Sequence, residues 1–199
     1  MCIRDSRQLN LEESTLVIFT SDNGGMWKAT NNAPLRANKG ANYEGGLRVP
    51  VIVKWSNRIA AGSVSSEPVI STDFYPTILA ATGQPLRPHQ HSDGENLLPI
   101  LTGQGGLKRD ALYWHYPHYN QHPESAPASV IRAGDWKLMQ NLETGERELY
   151  NLAVDLSEQH NLAKRHSAKT EELQKRLDGW RAEVGADPMK SNPEYVGKQ

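Results

Sequence analysis

One cysteine, Cys2, stands in 199 residues. A lone cysteine excludes an internal disulfide and any cysteine-built zinc site. No charge of one sign prevails: 22 Lys and Arg face 23 Asp and Glu, for a net charge of −1 with His neutral. Polybasic nucleic-acid binders and binders of anionic membranes carry a surplus of Lys and Arg, so neither nucleic acid nor membrane is expected as a partner. Long apolar runs are missing as well. The longest, 15–19 and 49–53, fall far short of the roughly 20 residues that span a bilayer. Residues 1–10 are polar and mixed in charge and carry no signal-peptide pattern. Repeats and low-complexity segments are absent. At 37% hydrophobic and 23% charged residues, the chain is still too apolar for a disordered tail. Its length suits one large domain, or a medium domain with a small companion.

Two kinds of strand signal divide the chain. Thr15-Leu16-Val17-Ile18-Phe19 is a continuous, β-branched run, the pattern of an interior strand of a parallel sheet covered on both faces. Leu47-Arg48-Val49-Pro50-Val51-Ile52-Val53-Lys54-Trp55 is a second candidate, with Pro50 at its start or edge. Ser71-Thr72-Asp73 ahead of Phe74-Tyr75-Pro76 reads as a capped helix start, and Gly83 as its stop. Further on, 129–132, 136–139 and 148–152 read as short strands joined by hairpin-length turns. A helix is expected over about 168–184, with Leu173, Leu177, Trp180 and Val184 on one stripe. Three strands and a helix make a small antiparallel α+β unit. Residues 1–10 fit neither pattern and are expected to be foreign to the fold or poorly ordered.

The chemistry-bearing residues concentrate early. Asp22 and Asn23 stand side by side after the first strand, followed by Gly24-Gly25. A carboxylate and a carboxamide are ligands for a hard cation such as Ca²⁺ or Mg²⁺; Ser-Asp-Asn-Gly is equally an ordinary turn sequence. In the loop 35–50, Lys39 and Arg36 offer cationic partners for a tetrahedral oxyanion, or else a solvated basic surface. Glu44 and Arg48 suit a pair that pins this loop. His115 and His118 lie among Tyr113, Trp114, Tyr116 and Tyr119, a mixture that suits sugar rings or the packing of a small domain.

Taken in order, Thr20-Ser21-Asp22-Asn23-Gly24-Gly25, the loop 35–50, Ser71-Thr72-Asp73-Phe74-Tyr75-Pro76-Thr77, Tyr113-Trp114-His115-Tyr116-Pro117-His118-Tyr119, Ile131-Arg132-Ala133-Gly134-Asp135-Trp136-Lys137-Leu138, and Glu148-Leu149-Tyr150-Asn151-Leu152 with Asp155-Leu156-Ser157-Glu158 resemble the C-terminal half of the formylglycine-dependent sulfatases of the alkaline-phosphatase superfamily. The resemblance implies an α/β fold: residues 11–106 as the C-terminal portion of a mixed-sheet catalytic domain, and 107–199 as a small antiparallel α+β subdomain. It implies Asp22 and Asn23 as ligands of an active-site Ca²⁺ (or Mg²⁺). It implies Lys39 as a catalytic and substrate-binding residue on the sulfate group, and His115 and His118 as substrate-binding residues. Asn38 departs from the small residue that family members usually carry beside this lysine.

The resemblance also marks an absence. Sulfatases use a Cys or Ser in Cys-x-Pro/Ala-Ser-Arg, converted to formylglycine, and Cys2 is followed instead by Ile3-Arg4-Asp5-Ser6. The nucleophile is therefore expected in an N-terminal portion outside these residues, and the chain alone is expected to be inactive. The implied function is hydrolysis of sulfate esters of a carbohydrate or aryl substrate, in a periplasmic or secreted protein. Two alternatives stand beside it: a phosphonate or phosphodiester hydrolase of the same superfamily, and a non-catalytic relative that binds sulfated glycans.

Overall fold

The computed structural model describes residues 2–190. They form two compact units, and the division is discontinuous. One unit gathers residues 2–22 with Val49–Asp110; the other joins Asn23–Arg48 to the chain from Ala111 onward. From the sequence the chain is expected to divide into 1–10, 11–106 and 107–199; in the structure the loop 23–48, which carries Lys39, groups with the small C-terminal sheet.

In the first unit, α1 (Cys2–Gln8) precedes β1 (Val17–Phe19), which pairs antiparallel with β2 (Ile52–Lys54). Two expectations change here. Residues 2–8 are helical although no apolar period announces it. A Glu12 carboxylate shared by Arg7 and Lys54 holds the following turn; hydrogen bonds from Arg7 and then Lys54 bring its pKa down to about 2. Nor is β1 an interior strand of a parallel sheet among the described residues: its partner is antiparallel, and the opposed Phe19 and Ile52 are 64% and 60% exposed. An apolar run reports what a strand can bury, while strand direction is set by the connection.

Helix α3 (Phe74–Ala81) follows a 3₁₀ turn over Ser71–Asp73 and stops before Gly83, whose φ of +69° suits glycine. The fully buried Asp73 accepts from the N–H groups of Ile70 (2.8 Å) and Glu95 (2.9 Å) and from the Arg109 guanidinium (2.6 Å to Nη2). One carboxylate thus fixes the helix start, the segment leading to α4 (Leu98–Leu101), and the end of this unit.

In the second unit, β3 (Leu112–Tyr116), β4 (Ala128–Ala133), β5 (Trp136–Asn141) and β6 (Arg147–Asn151) form an antiparallel meander in chain order. Alternation gives its two faces different chemistry. One face presents Ile131, Leu138 and Leu149, all fully buried, to Leu173 and Leu177 of α5 (Ser167–Glu183). Trp180 of α5 stacks on Tyr113 with centroids 4.9 Å apart. Burying leucines this completely contributes roughly 2 kcal/mol each. Val184, expected on the same stripe, is 48% exposed and caps the helix. The opposite face presents Val130, Met139 and Tyr150 to Ala41 and Tyr43 of the loop 23–48. The loop is this face's cover.

Candidate functional site

Glycines let the loop close on itself. The Gly24 N–H donates to the Gly46 carbonyl (2.9 Å), and a Cβ on Gly24 would lie 1.7 Å from the Gly45 carbonyl oxygen. A Cβ on Gly45 would meet the carbonyl oxygens of Ala37 and Arg36 at 2.2 and 2.3 Å. No side chain fits such approaches. The Asn32 amide reinforces them, donating to the Gly45 (2.9 Å) and Gly25 (3.3 Å) carbonyls. Short helix α2 (Glu44–Leu47) carries both Gly45 and Gly46.

This knot positions Lys39. Its backbone N–H donates to the Gly25 carbonyl (3.1 Å), tying it to the glycine pair that follows Asp22 and Asn23. The Lys39 side chain is exposed, and among the described residues its ammonium has no carboxylate partner. Asp22 is exposed too, with the Ser21 hydroxyl 3.5 Å from its Oδ1, while Asn23 is half-buried. Asp22 belongs to the first unit and Asn23 to the second. Their oxygens suit a hard cation by chemistry. Among the described residues, no three His, Cys, Asp or Glu side chains gather into a metal-sized group.

The two histidines have different fates. His115 pairs with Ser129 across β3 and β4, on the face that α5 covers. Its Nε2 lies 2.7 Å from the Asp187 carbonyl and its Nδ1 2.7 Å from the Ser129 hydroxyl. A carbonyl only accepts, so Nε2 carries a proton, and Nδ1 pairs with the Ser129 hydroxyl. Both nitrogens are occupied, and the strand sets His115 on the side of the sheet away from the Lys39 loop. Trp114, one residue earlier, faces that loop and packs near Ala41 and Tyr43. His118 is exposed and meets Tyr116 edge-on at 5.4 Å. It stands in the β3–β4 connection, where the Asn120 amide donates to the Gly40 carbonyl (2.7 Å). The connection carrying His118 therefore touches the turn carrying Lys39.

Two polar clusters escaped the sequence reading. The Arg36 guanidinium sits over the Tyr43 ring, 3.6 Å from its centroid, and reaches Glu124 (3.0 Å), the Tyr150 hydroxyl (3.3 Å) and the Glu158 carbonyl (3.1 Å). Tyr43 and Tyr150 both donate to Glu148; burial, with Glu148 beside them, pushes both phenols above their ordinary range. Beneath α2, the Lys137 ammonium sits 3.0 Å from Glu44 and 2.8 Å from Glu158, and none of the three side chains is more than 4% exposed. Burial, opposed by Lys137, raises the Glu158 pKa above its ordinary value. The signal for Lys137 was present: alternation puts it on the Met139 side, where a lysine needs a buried partner. The expected pair of Glu44 with Arg48 forms at 3.8 Å, and Arg132 approaches the same oxygen at 3.8 Å.

Comparison with known proteins places this arrangement. The family profile described as "N-sulphoglucosamine sulphohydrolase, C-terminal" matches residues 37–183. A sulfatase of Formosa agariphila is 41% identical over 162 residues, covering 76% of this chain and 29% of that protein. Human arylsulfatase A is 41% identical over 133 residues, covering 65% of this chain and 25% of its own length. Among solved structures, Ps i-CgsB in complex with k-i-k-neocarrahexaose superposes with a TM-score of 0.76 at 31% identity, over 89% of this chain and 39% of that one. A protein solved with its substrate, D-glucosamine-2-N,6-O-disulfate, shares the fold at a TM-score of 0.77 and 24% identity, over 96% of this chain and 39% of its own. The fold is thus the C-terminal part of the alkaline-phosphatase-like architecture. The chain belongs to the sulfatase family, within the N-sulphoglucosamine sulphohydrolase C-terminal group. It spans less than a third of the curated relatives it matches.

Proposed function

We propose that this chain is the C-terminal portion of a sulfatase and supplies part of its active site. The reaction is hydrolysis of a sulfate monoester, in which the S–O bond to the alcohol breaks and water supplies the new oxygen on sulfur. The observation that carries the reading is Lys39: an exposed ammonium without a carboxylate partner among the described residues, on a glycine-locked loop, bonded through its backbone to the Gly25 carbonyl. In this role Lys39 binds the sulfate and neutralises charge on its oxygens as the ester bond breaks. Asp22 and Asn23 would hold a Ca²⁺ or Mg²⁺ ion, which when bound polarises the sulfate oxygens. His118 borders the same loop and contacts the rest of the substrate, for which a sulfated carbohydrate is the favoured class. His115 serves structurally, holding β3 and β4 to the segment after α5. The formylglycine nucleophile is supplied from outside these 199 residues, in a periplasmic or secreted protein.

The test uses the intact protein that carries this chain. Lys39→Ala is expected to lower kcat/KM for a sulfate ester by about 10²–10³. His118→Ala is expected to raise KM for a sulfated sugar more than for a small aryl sulfate. The isolated 199 residues are expected to show no turnover. Full activity of Lys39→Ala, or turnover by the isolated chain, defeats the reading.

A further inference from the structure

The Lys39 loop rests on buried charges that the reaction does not use. The Lys137 ammonium, 1% exposed, bridges Glu44 Oε1 at 3.0 Å and Glu158 Oε1 at 2.8 Å. The other Glu158 oxygen accepts the Glu44 backbone N–H at 2.6 Å. Glu158 therefore grips Glu44 twice, once through its backbone and once through Lys137. Glu44 opens α2, and α2 carries Gly45 and Gly46. Gly46 accepts from Gly24, the Gly45 N–H donates to Arg36 (2.8 Å), and Gly25 accepts from Lys39. The chain of contacts runs without a gap from β5 and the turn after β6 to the Lys39 backbone. Burying three charged side chains is costly unless geometry and extra hydrogen bonds compensate. Such a group has directional preferences that apolar packing lacks.

We propose that Glu44, Lys137 and Glu158 form a positioning clamp that holds the Lys39 loop in place for the sulfate group. The inference rests on the reading of Lys39 as the sulfate-binding residue. Lys137 and Glu158 touch no substrate; they are positioning residues that act through Glu44 and α2. The clamp assigns a task to the small sheet, which fixes one wall of the active site by its loop-facing side.

The experiment has an arm that needs no catalysis and an arm that does. In native-state hydrogen exchange on the unmodified chain, the amides of Gly24, Lys39, Glu44 and Gly45 are expected to open together, following one isotherm at low denaturant. Glu158→Gln keeps an acceptor for the Glu44 N–H and removes the charge. It is expected to speed exchange at Gly24 and Lys39 by about tenfold while leaving Ile131 and Leu138 unchanged. Separate isotherms for the loop amides, or unchanged Lys39 exchange in Glu158→Gln, overturn the clamp. In the intact protein, Glu158→Gln is expected to lower kcat about tenfold, and to have almost no further effect in a Lys39→Ala background. Equal losses in both backgrounds would mark a general structural role and refute positioning. If the intact protein hydrolyses no sulfate ester, the functional reading fails, and the exchange arm still decides whether the clamp holds the loop.

Discussion

The closest backbone approach in the loop gives the sharpest mutational test. In Gly24→Ala, the new methyl would sit 1.7 Å from the Gly45 carbonyl oxygen and 3.0 Å from the Gly46 Cα. Ordinary contact starts near 3.4 Å, so the two segments must separate by well over an ångström. Both neighbours are backbone, and no flexible side-chain end can swing away. Separation stretches the 2.9 Å Gly24–Gly46 hydrogen bond beyond bonding distance. Overpacking costs about 1–3 kcal/mol, and the lost bond about 1 kcal/mol more, giving a destabilisation of roughly 2–4 kcal/mol. Gly179 supplies the control. It lies within α5, and a Cβ there meets nothing within 4 Å. Gly179→Ala should therefore stabilise by about 0.5–1 kcal/mol through helix propensity. Urea denaturation followed by tryptophan fluorescence, with a common slope, measures both. If Gly24→Ala falls within about 0.5 kcal/mol of the unmodified chain, the close-approach argument is wrong.

Other expectations follow from the buried groups. Arg109→Leu leaves the fully buried Asp73 without its guanidinium and should destabilise by about 3–5 kcal/mol, read as a shift of the urea midpoint. Leu177→Ala empties a fully buried position between α5 and the sheet and should cost about 2–5 kcal/mol; a smaller loss would mean that α5 collapses onto the sheet. Glu158, its pKa raised by burial, binds its proton more tightly in the folded chain than in the unfolded one. Its contribution to stability is thus fully present below the unfolded carboxylate value and is lost as pH rises through the raised folded value. The difference in unfolding free energy between the unmodified chain and Glu158→Gln should decline with rising pH in that window, and a difference that grows would reverse the assigned direction.

Legibility varied with how local the cause was. Helix α5 was readable because Leu173, Leu177 and Trp180 repeat at helical spacing against one apolar face. Strands β4, β5 and β6 announced themselves through short alternating runs and turn residues. The last strand needed was hidden: β3 is made of the block 112–116, whose aromatic content read as either a sugar-binding surface or the packing of a small domain. Strand alternation splits that block, with Tyr113 and His115 under α5 and Trp114 against the loop. Only the pairing register tells these fates apart, and register is set by residues far along the chain. The candidate site divides in the same way. The glycines around Lys39 were legible as positions of close backbone approach, while the role of Lys39 is what the family resemblance implies. The partners of Lys137 lie on a loop and a turn far from it in sequence, so no spacing rule links them.

The two faces of the sheet solve one problem by different means. Toward α5 the cover is aliphatic, and helix and sheet meet through side chains that pack without fixed polar geometry. Toward the loop, aliphatic contacts from Val130 and Met139 are interleaved with Arg36, Glu44, Lys137, Glu148 and Glu158. A loop has no ladder of its own, and its backbone groups must find partners one by one. Glu158 takes the Glu44 N–H, and loop side chains in turn satisfy backbone outside it, Arg36 donating to the Glu158 carbonyl and Asn42 to the Ala126 carbonyl at 3.2 Å. Apolar cover alone would leave those groups unpaired and the loop free to slide, since hydrophobic contact is non-directional. The polar face is therefore what an irregular segment requires if it is to present one lysine in one place.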